Sequence, residues 1–296
     1  MEWLSCVRDA VDYMEEELLT VRDPEEVAGH VHMSCVYLQR GFQILTGYSL
    51  GEYIRNRRLY LAAVELCESD VPVIDIALKY GYETPASFDK AFSRFHGATP
   101  LEVRRGRRSI RSFLRLQISI SIQGGSSMNF RVEKKDSLRL VGFEQVFRAE
   151  DSYEKIPKYW DEITAAYAPH LMQGQAPEGE TERFIAAHHV GEFGVCIDDM
   201  GSDRFHYMIA GYDRGDPAPE TMTVRSIAAG DWAVFDCTLA TLQSTNTAIW
   251  KEWLPGNSAY ELAGMYNLEW YSPEGLPGPD RKCQIWLPVR RRNDKA

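Results

Sequence analysis

The 296-residue chain reads as a multidomain protein, with an all-α N-terminal domain of two helix-turn-helix units followed by an α+β C-terminal domain. Three observations predict this. Within the first 108 residues, a short helix, a glycine-containing turn and a second helix with a polar outward side occur twice. After Arg108 the apolar residues change from helical to alternating spacing. Beyond that point the order strand-strand-helix-strand-strand-strand is read twice, a duplicated module with both helices on one sheet face. The expected boundaries are 1–108 for the first domain, 109–113 for a linker and 114–296 for the second domain.

Taken in order, Trp3, Leu4, Val7, Val11, Met14 and Leu18 make an amphipathic first helix that should pack on the first unit. Glu25 to Ala28 begin a short helix, and Gly29 to Met33 make the turn. Ser34 caps a second helix with Leu38, Phe42 and Leu45 on its buried side. Its outward side is Val36, Gln39, Arg40 and Gln43, at i, i+3, i+4 and i+7, and Thr46-Gly47 ends it. Leu50 to Cys67 form one long helix with Ile54, Ala62 and Leu66 inward. At 1.5 Å per residue it is about 27 Å long.

The second unit follows. Ile74, Ala77 and Leu78 recur at helical spacing, and Gly81 ends that helix. Thr84 offers a hydroxyl cap, with Pro85 at the first helical position, where a missing N–H costs nothing. Phe88, Ala91, Phe92 and Phe95 form the buried stripe. Ala86, Asp89, Lys90, Ser93 and Arg94 are left pointing outward, and His96-Gly97 stops the helix.

In the second domain, Leu114, Leu116, Ile118, Ile120 and Ile122 alternate with polar residues. Gly124-Gly125-Ser126 then supplies a turn, and Phe130 to Glu133 begin a second strand, so a hairpin is expected. Further strand-like runs lie near 138–147, 184–190, 205–212, 221–227, 232–238, 263–271 and 283–289. Ser152 caps one helix, with Ile156, Trp160, Ile163 and Tyr167 apolar. A second helix runs from about Leu239 to Leu254, with Leu242, Ile249, Trp250 and Trp253.

No apolar run approaches the roughly 20 residues that a membrane-spanning helix needs. Arg8, Asp9 and Asp12 break the first apolar stretch, so no secretory leader is read and a cytoplasmic location is expected. The six cysteines contain no C-x-x-C pair and read as reduced thiols. The formal charge of −10 is unevenly spread: residues 1–125 carry 15 basic and 17 acidic side chains, and 126–296 carry 18 and 26. Arg55, Arg57, Arg58 and the run from Arg104 to Arg115 make the near-neutral first part locally basic, as a DNA-facing surface or as a solvated helix end and linker.

Two helix-turn-helix units separated by one helix resemble the AraC/XylS family of transcription regulators. The resemblance covers about residues 1 to 108. It rests on Leu38-Gln39-Arg40-Gly41-Phe42 with Thr46-Gly47, Tyr53-Ile54 with Arg58-Leu59, Ile76-Ala77 with Gly81-Tyr82, Phe88, Ala91-Phe92, Gly97 and Thr99-Pro100. The tail is similar to the GyrI-like effector-binding domain through Met128-Asn129-Phe130-Arg131, Val141-Gly142, Ala229 to Phe235, Trp253-Leu254-Pro255, Leu268 to Tyr271 and Ile285 to Pro288. Together they resemble the Rob-type arrangement. The resemblance implies a transcription regulator whose partners are double-stranded DNA, a small-molecule effector and RNA polymerase.

For the head, Arg40 and Lys90 can pair with guanine, Gln39 with adenine, and Val36 has the surface for a thymine methyl. Gln43, Ala86, Asp89 and Arg94 complete the candidate DNA face, although Ala86 brings no donor and Asp89 repels phosphate. For the tail, Glu269 stands inside the aromatic run 265–271. Alternation puts Asn267, Glu269 and Tyr271 on one face and Tyr266, Leu268 and Trp270 on the other. The second set suits burial under a helix, so Glu269 is expected on the open face. A carboxylate among aromatics favours a cationic, partly apolar ligand. The resemblance implies a ligand-facing acid here too, and Tyr207, Trp232 and Trp286 are candidate walls. The alternatives are a surface glutamate, a hydrolase using Glu269 with Tyr207 or Tyr271, and a protein-sequestering tail. His188, His189, Asp198, Asp199, Asp203 and His206 match no metal-ligand spacing. The chain has no G-x-S-x-G, phosphate-loop or dinucleotide fingerprint, so neither a metal nor a cofactor is expected.

Overall fold

The computed structural model describes residues 3–118, 128–167, 176–177, 179–274 and 278–292. The chain divides into two units, Met1–Gln123 and Gly124–Ala296. No helix among the described residues is long and apolar enough to cross a membrane.

The first unit holds α1 (Trp3–Glu16), α2 (Pro24–His30), α3 (Cys35–Thr46), α4 (Leu50–Glu68), α5 (Val73–Lys79), α6 (Pro85–His96) and α7 (Pro100–Arg104). The caps are those that the sequence calls for. Ser34 and Thr84 side chains accept from the N–H groups of Tyr37 and Ser87, Pro85 opens α6, and Gly47 and Gly97 end α3 and α6 at φ +79° and +71°. Such left-handed ends cost glycine nothing. Ser49 with Glu52, and Thr99 with Glu102, form reciprocal capping boxes at α4 and α7. Trp3, Val7, Val11, Met14 and Leu18 are buried, as are Ile54, Ala62 and Leu66 of α4. On α5 the expectation is only partly met. Ala77 is buried, but Ile74 and Leu78 are 49% and 56% exposed. Ile76 and Tyr80 take the inward positions instead, because the core contacts run along 73, 76, 77 and 80.

The expected hairpin does not begin where the alternation suggested. Residues 109–118 form no strand. They pack on the first unit: Arg57 Nη1 donates to Phe113 O at 2.7 Å and Leu116 N to the Tyr53 hydroxyl at 3.2 Å. Leu114 is 70% exposed, so its alternation is not a buried face. The rest of that expected strand and its turn, 119–127, lie outside the described residues.

The second unit holds β1 (Arg131–Lys135), β2 (Leu138–Arg148), α8 (Ser152–Tyr167), α9 (Glu180–His188), β3 (Phe193–Ile197), β4 (Arg204–Tyr212), β5 (Thr223–Ile227), β6 (Gly230–Thr238), α10 (Leu242–Ala248), β7 (Tyr260–Leu262), β8 (Tyr266–Tyr271) and β9 (Lys282–Arg291). Helix α10 runs on through a π-turn at Ile249–Trp253 to Gly256. The strand expected near 184–190 is α9. Glu180 and Glu182 in its first turn complement the helix dipole, and two alanines favour helix over strand. Strands β3 and β7 were not expected.

All pairings are antiparallel, in the order β1-β6-β9-β8-β3-β4-β2-β5, with β7 beside β9. The order reads the same from both ends when β1 to β4 are matched with β5, β6, β8 and β9. Each half therefore gives its first strand to the other half: β1 pairs with β6 and β5 with β2. Strand β5 thus opens the second repeat and does not close the first. The duplication is a pair of interlocked halves.

One interaction ties down the first unit. Arg57 Nε and Nη2 each donate to the Glu15 carboxylate at 2.7 Å, and the Tyr53 hydroxyl donates to it at 2.6 Å. The two ionic side chains are only 9% and 10% exposed. Burial pushes Glu15 up, but the hydrogen bonds from Arg57 and Tyr53 and the arginine charge outweigh it and hold the carboxyl below its ordinary 4.5. Removing one partner of such a pair strands the other charge. Arg57→Ala should therefore cost about 3–5 kcal/mol, checked by urea unfolding followed by helical circular dichroism. Because Glu15 is depressed on folding, its contribution is complete above about pH 4.5 and is lost as the pH falls through the folded value. The urea midpoint of Glu15→Gln should accordingly fall less than that of the parent as the pH is lowered below about 4.5.

Candidate functional sites

In the head, α3 and α6 are the second helices of their units. The outward residues of α6 are placed as the periodicity predicts: Ala86, Asp89, Lys90 and Arg94 are exposed, while Phe88 and Phe92 are fully buried. On α3, Arg40 and Gln43 are half-buried. Val36 and Gln39 are not outward in this structure, at only 6% and 3% exposed. Five successive residues, Cys35 to Gln39, are buried, which is more than one helical turn. The start of α3 is therefore covered on every side, and a single-stripe reading fails there. In the arginine run, Arg104 donates to Val71 O, whereas Arg105, Arg107 and Arg108 are exposed.

In the tail, the sheet register settles which side chains share a face. Phe235, Ile285, Glu269, Gly194, Ile209 and Phe143 lie directly opposite one another across six strands. Phe143 stacks on Tyr167 of α8, and Phe235 meets Trp253 of the π-turn. Both helices thus lie on one face, as expected, but Glu269 lies on that same face. The open-face assignment is overturned. An acid is tolerated beneath a helix when donors meet it. Here the Tyr271 hydroxyl donates to Glu269 Oε2 at 2.8 Å, and the Tyr207 hydroxyl approaches it at 3.5 Å. Trp160 of α8 donates Nε1–H to the Tyr207 oxygen at 2.8 Å, and its ring meets that of Tyr271 edge-on at 5.3 Å. Burial first, and then the Glu269 charge, push the Tyr271 phenol well above its ordinary value.

Asn267, 4% exposed, shares this face, so Asn267, Glu269, Tyr271 and Tyr207 are brought together. Trp232 and Trp286 are not walls of this site. They pack on the opposite face with Phe193, Val195, Met208 and Leu268, because Val195 and Leu268 alternate with Gly194 and Glu269. The sequence reading treated Trp160 only as a helix-stripe residue and did not single out Gly194. The signal for Trp160 was its place in that stripe; for Gly194 there was none, since β3 itself was missed.

Among the described residues, no three of the residues considered for a metal come together. His188 Nδ1 meets Tyr212 O and its Nε2 meets Asp216, His189 pairs with Glu192, and His206 pairs with Asp199. His188 and His189 end a helix and are not on a strand.

Gly194 holds the geometry of the acid site. A Cβ there would stand 2.3 Å from the Tyr207 hydroxyl oxygen and 3.1 Å from Glu269 Oε2. Gly194→Ala should destabilise the tail by about 1–3 kcal/mol through overpacking. Adding Tyr207→Phe, which removes the clashing oxygen, should recover most of that loss in urea unfolding, whereas a backbone defect at Gly194 would leave the double variant no better than the single.

Comparison with known proteins agrees with this architecture. A helix-turn-helix domain model matches residues 27–106, and the integron-associated effector binding protein model matches residues 131–289, more than half of the chain. The regulatory protein SoxS of Escherichia coli K12 is 38% identical over 104 residues, covering 35% of this chain and 97% of that protein. The right origin-binding protein of the same organism is 35% identical over 105 residues, covering 36% of each. A solved transcription regulation protein from Staphylococcus aureus MU50 is 17% identical with a TM-score of 0.41, covering 55% of this chain and 99% of that one. The chain belongs to the AraC-type helix-turn-helix transcription regulators and carries, as its second domain, a GyrI-like effector-binding domain of the integron-associated family.

Proposed function

We propose that this DNA-binding regulator senses a small cationic or amphipathic aromatic molecule at Glu269, and that α3 and α6 contact DNA. The observation that carries the ligand reading is a carboxylate beneath α8, ringed by Tyr207, Tyr271 and Trp160, whose hydrogen-bond donors are tyrosine hydroxyls. Hydroxyls meet the hydrogen-bonding need of the carboxylate but leave its charge uncompensated, and aromatic faces attract a delocalised cation. Asn267 lies beside them as a further lining residue. Binding fits better than hydrolysis. A general acid or base works best with a pKa near the operating pH, and Tyr271 is moved away from it. On the DNA side, Arg40, Gln43, Lys90 and Arg94 supply polar contacts, with Val36, Gln39, Ala86 and Asp89 on the same helices and RNA polymerase as the downstream partner.

Glu269→Gln keeps the volume and removes the charge. Calorimetric titration with a tetraarylphosphonium cation and a neutral tetraarylsilane of the same shape should show at least about a tenfold loss for the cation, roughly 1.4 kcal/mol, and little change for the neutral compound. Equal weakening of both would remove Glu269 from the site.

On the head, Arg40→Ala should cost about 1–3 kcal/mol at a selected duplex and relax one base position. A loss that is uniform over all sequences would make Arg40 a phosphate contact.

A further inference from the structure

We propose that residues 110–116 are a strap that fixes the distance and rotation between the two recognition helices, with Phe113 as the positioning residue. The matched helix-turn-helix model ends at residue 106, before this segment begins.

The strap touches the second helix-turn-helix first. Ile110 packs on the cluster that contains Leu59, Ile76, Phe88 and Phe92. Arg111 N–H donates to His96 Nδ1 at 3.1 Å, at the end of α6, and the Arg111 guanidinium lies 5.2 Å over the Phe95 ring. It then reaches the side of the head that holds the first helix-turn-helix. Leu116 N–H donates to Tyr53, and Arg115 pairs with Asp12 of α1. Between these ends the Phe113 ring meets Phe95 of α6 at 6.1 Å, Tyr48 beside α3 at 5.2 Å and Tyr53 at 5.8 Å. Its carbonyl is held by Arg57, whose other nitrogens hold Glu15. One aromatic ring thus contacts both helix-turn-helix parts of the head, and its backbone is tied to the buried Arg57–Glu15 ion pair.

The mechanical argument is short. Helix α4 fixes how far apart the two helix-turn-helix parts stand, yet a single helix lets each of them pivot about its end. A second tie at a distance from α4 closes the frame and removes that freedom. DNA makes such rigidity legible: at 10–10.5 base pairs per 34–36 Å turn, one inserted base pair shifts the second groove by about 3.4 Å and rotates it by about 35°. A closed frame does not follow that shift; a hinged one does.

The proposal rests on α3 and α6 being the DNA-contacting helices, and the test separates the two ideas. A duplex is selected from a random 30-base-pair library on the full chain, its two protected major-groove segments are mapped, and base pairs are inserted or removed between them. The parent should lose about tenfold in affinity per base pair of altered spacing, while Phe113→Ala should lose about threefold or less, with at most a tenfold fall at the original spacing. Phe113 is half-buried, so the fold should persist, as thermal unfolding would show. Should Phe113→Ala unfold the head, Phe113→Leu carries the same comparison. Identical spacing profiles for parent and folded variant overturn the strap, as does a parent indifferent to spacing. A parent that protects only one groove segment overturns the two-helix reading of the head instead.

Discussion

A carboxylate taken out of water must be met by donors, and both units of this protein are arranged around that requirement. In the head Glu15 receives a bidentate arginine and a tyrosine hydroxyl. Its charge is cancelled on the spot, and the result is a fixed joint from which α4 and the strap take their positions. In the tail Glu269 receives hydroxyls from Tyr271 and, more distantly, Tyr207. The hydrogen bonds are met while the charge is not. The same residue type is therefore met by a guanidinium in one unit and by tyrosine hydroxyls in the other, which is the contrast on which the proposed ligand site rests.

The interlocked halves of the sheet explain why the acid site is single. Matching strand extents across the β3–β8 pair sets Phe193–Ile197 on 266–270 and Arg204–Tyr212 on 282–290. Glu269 then corresponds to Cys196, Tyr207 to Ile285, and Gly194 to Asn267. The scaffold is repeated but the chemistry is not. The site is shared between the halves: the second gives the acid, Glu269 on β8, and the first gives the Tyr207 hydroxyl on β4 and Gly194 on β3, the glycine that lets that hydroxyl lie flat over the strand. Trp160 adds the link to α8, so that the helix above the acid and the tyrosine beside it are hydrogen-bonded together.

The head was largely legible in the sequence because its information is local. Caps such as Ser34, Thr84 and Pro85 and stops such as Gly47 and Gly97 act within one turn of the residues they terminate. The tail was legible in its class and duplication, less so in individual elements and in its faces. Alternation correctly grouped Asn267, Glu269 and Tyr271, yet nothing local says which face a distant helix will cover. Strand β3 escaped because all five of its residues, Phe193 to Ile197, are buried and show no alternation. The strap was misread for the converse reason. Its alternating apolar residues look like a strand, but a strand needs a partner, and Arg57 and Tyr53 had already taken the backbone groups of Phe113 and Leu116.

Asymmetry within repeats is the common theme, and charge arithmetic shows why the tail cannot repeat its acid. A glutamate in place of Cys196 would sit on the same face as Glu269, on the adjacent strand and two residues out of register. Such diagonal neighbours are about 7–8 Å apart. Two carboxylates at that distance repel by roughly 2 kcal/mol at an effective dielectric near 20, before the cost of taking the second one out of water. One acid can be carried by tyrosine hydroxyls alone; two would need a cation in the empty state. In the head the repeats diverge for a different reason. The outward set on α3 includes Arg40 and Gln43, while that on α6 opens with Ala86 and has Asp89 next to Lys90 in sequence. The two helices proposed to contact DNA therefore present unlike side chains. Under that proposal the unlike faces would give the head a direction along DNA, and the strap would keep it by holding the two faces in one frame.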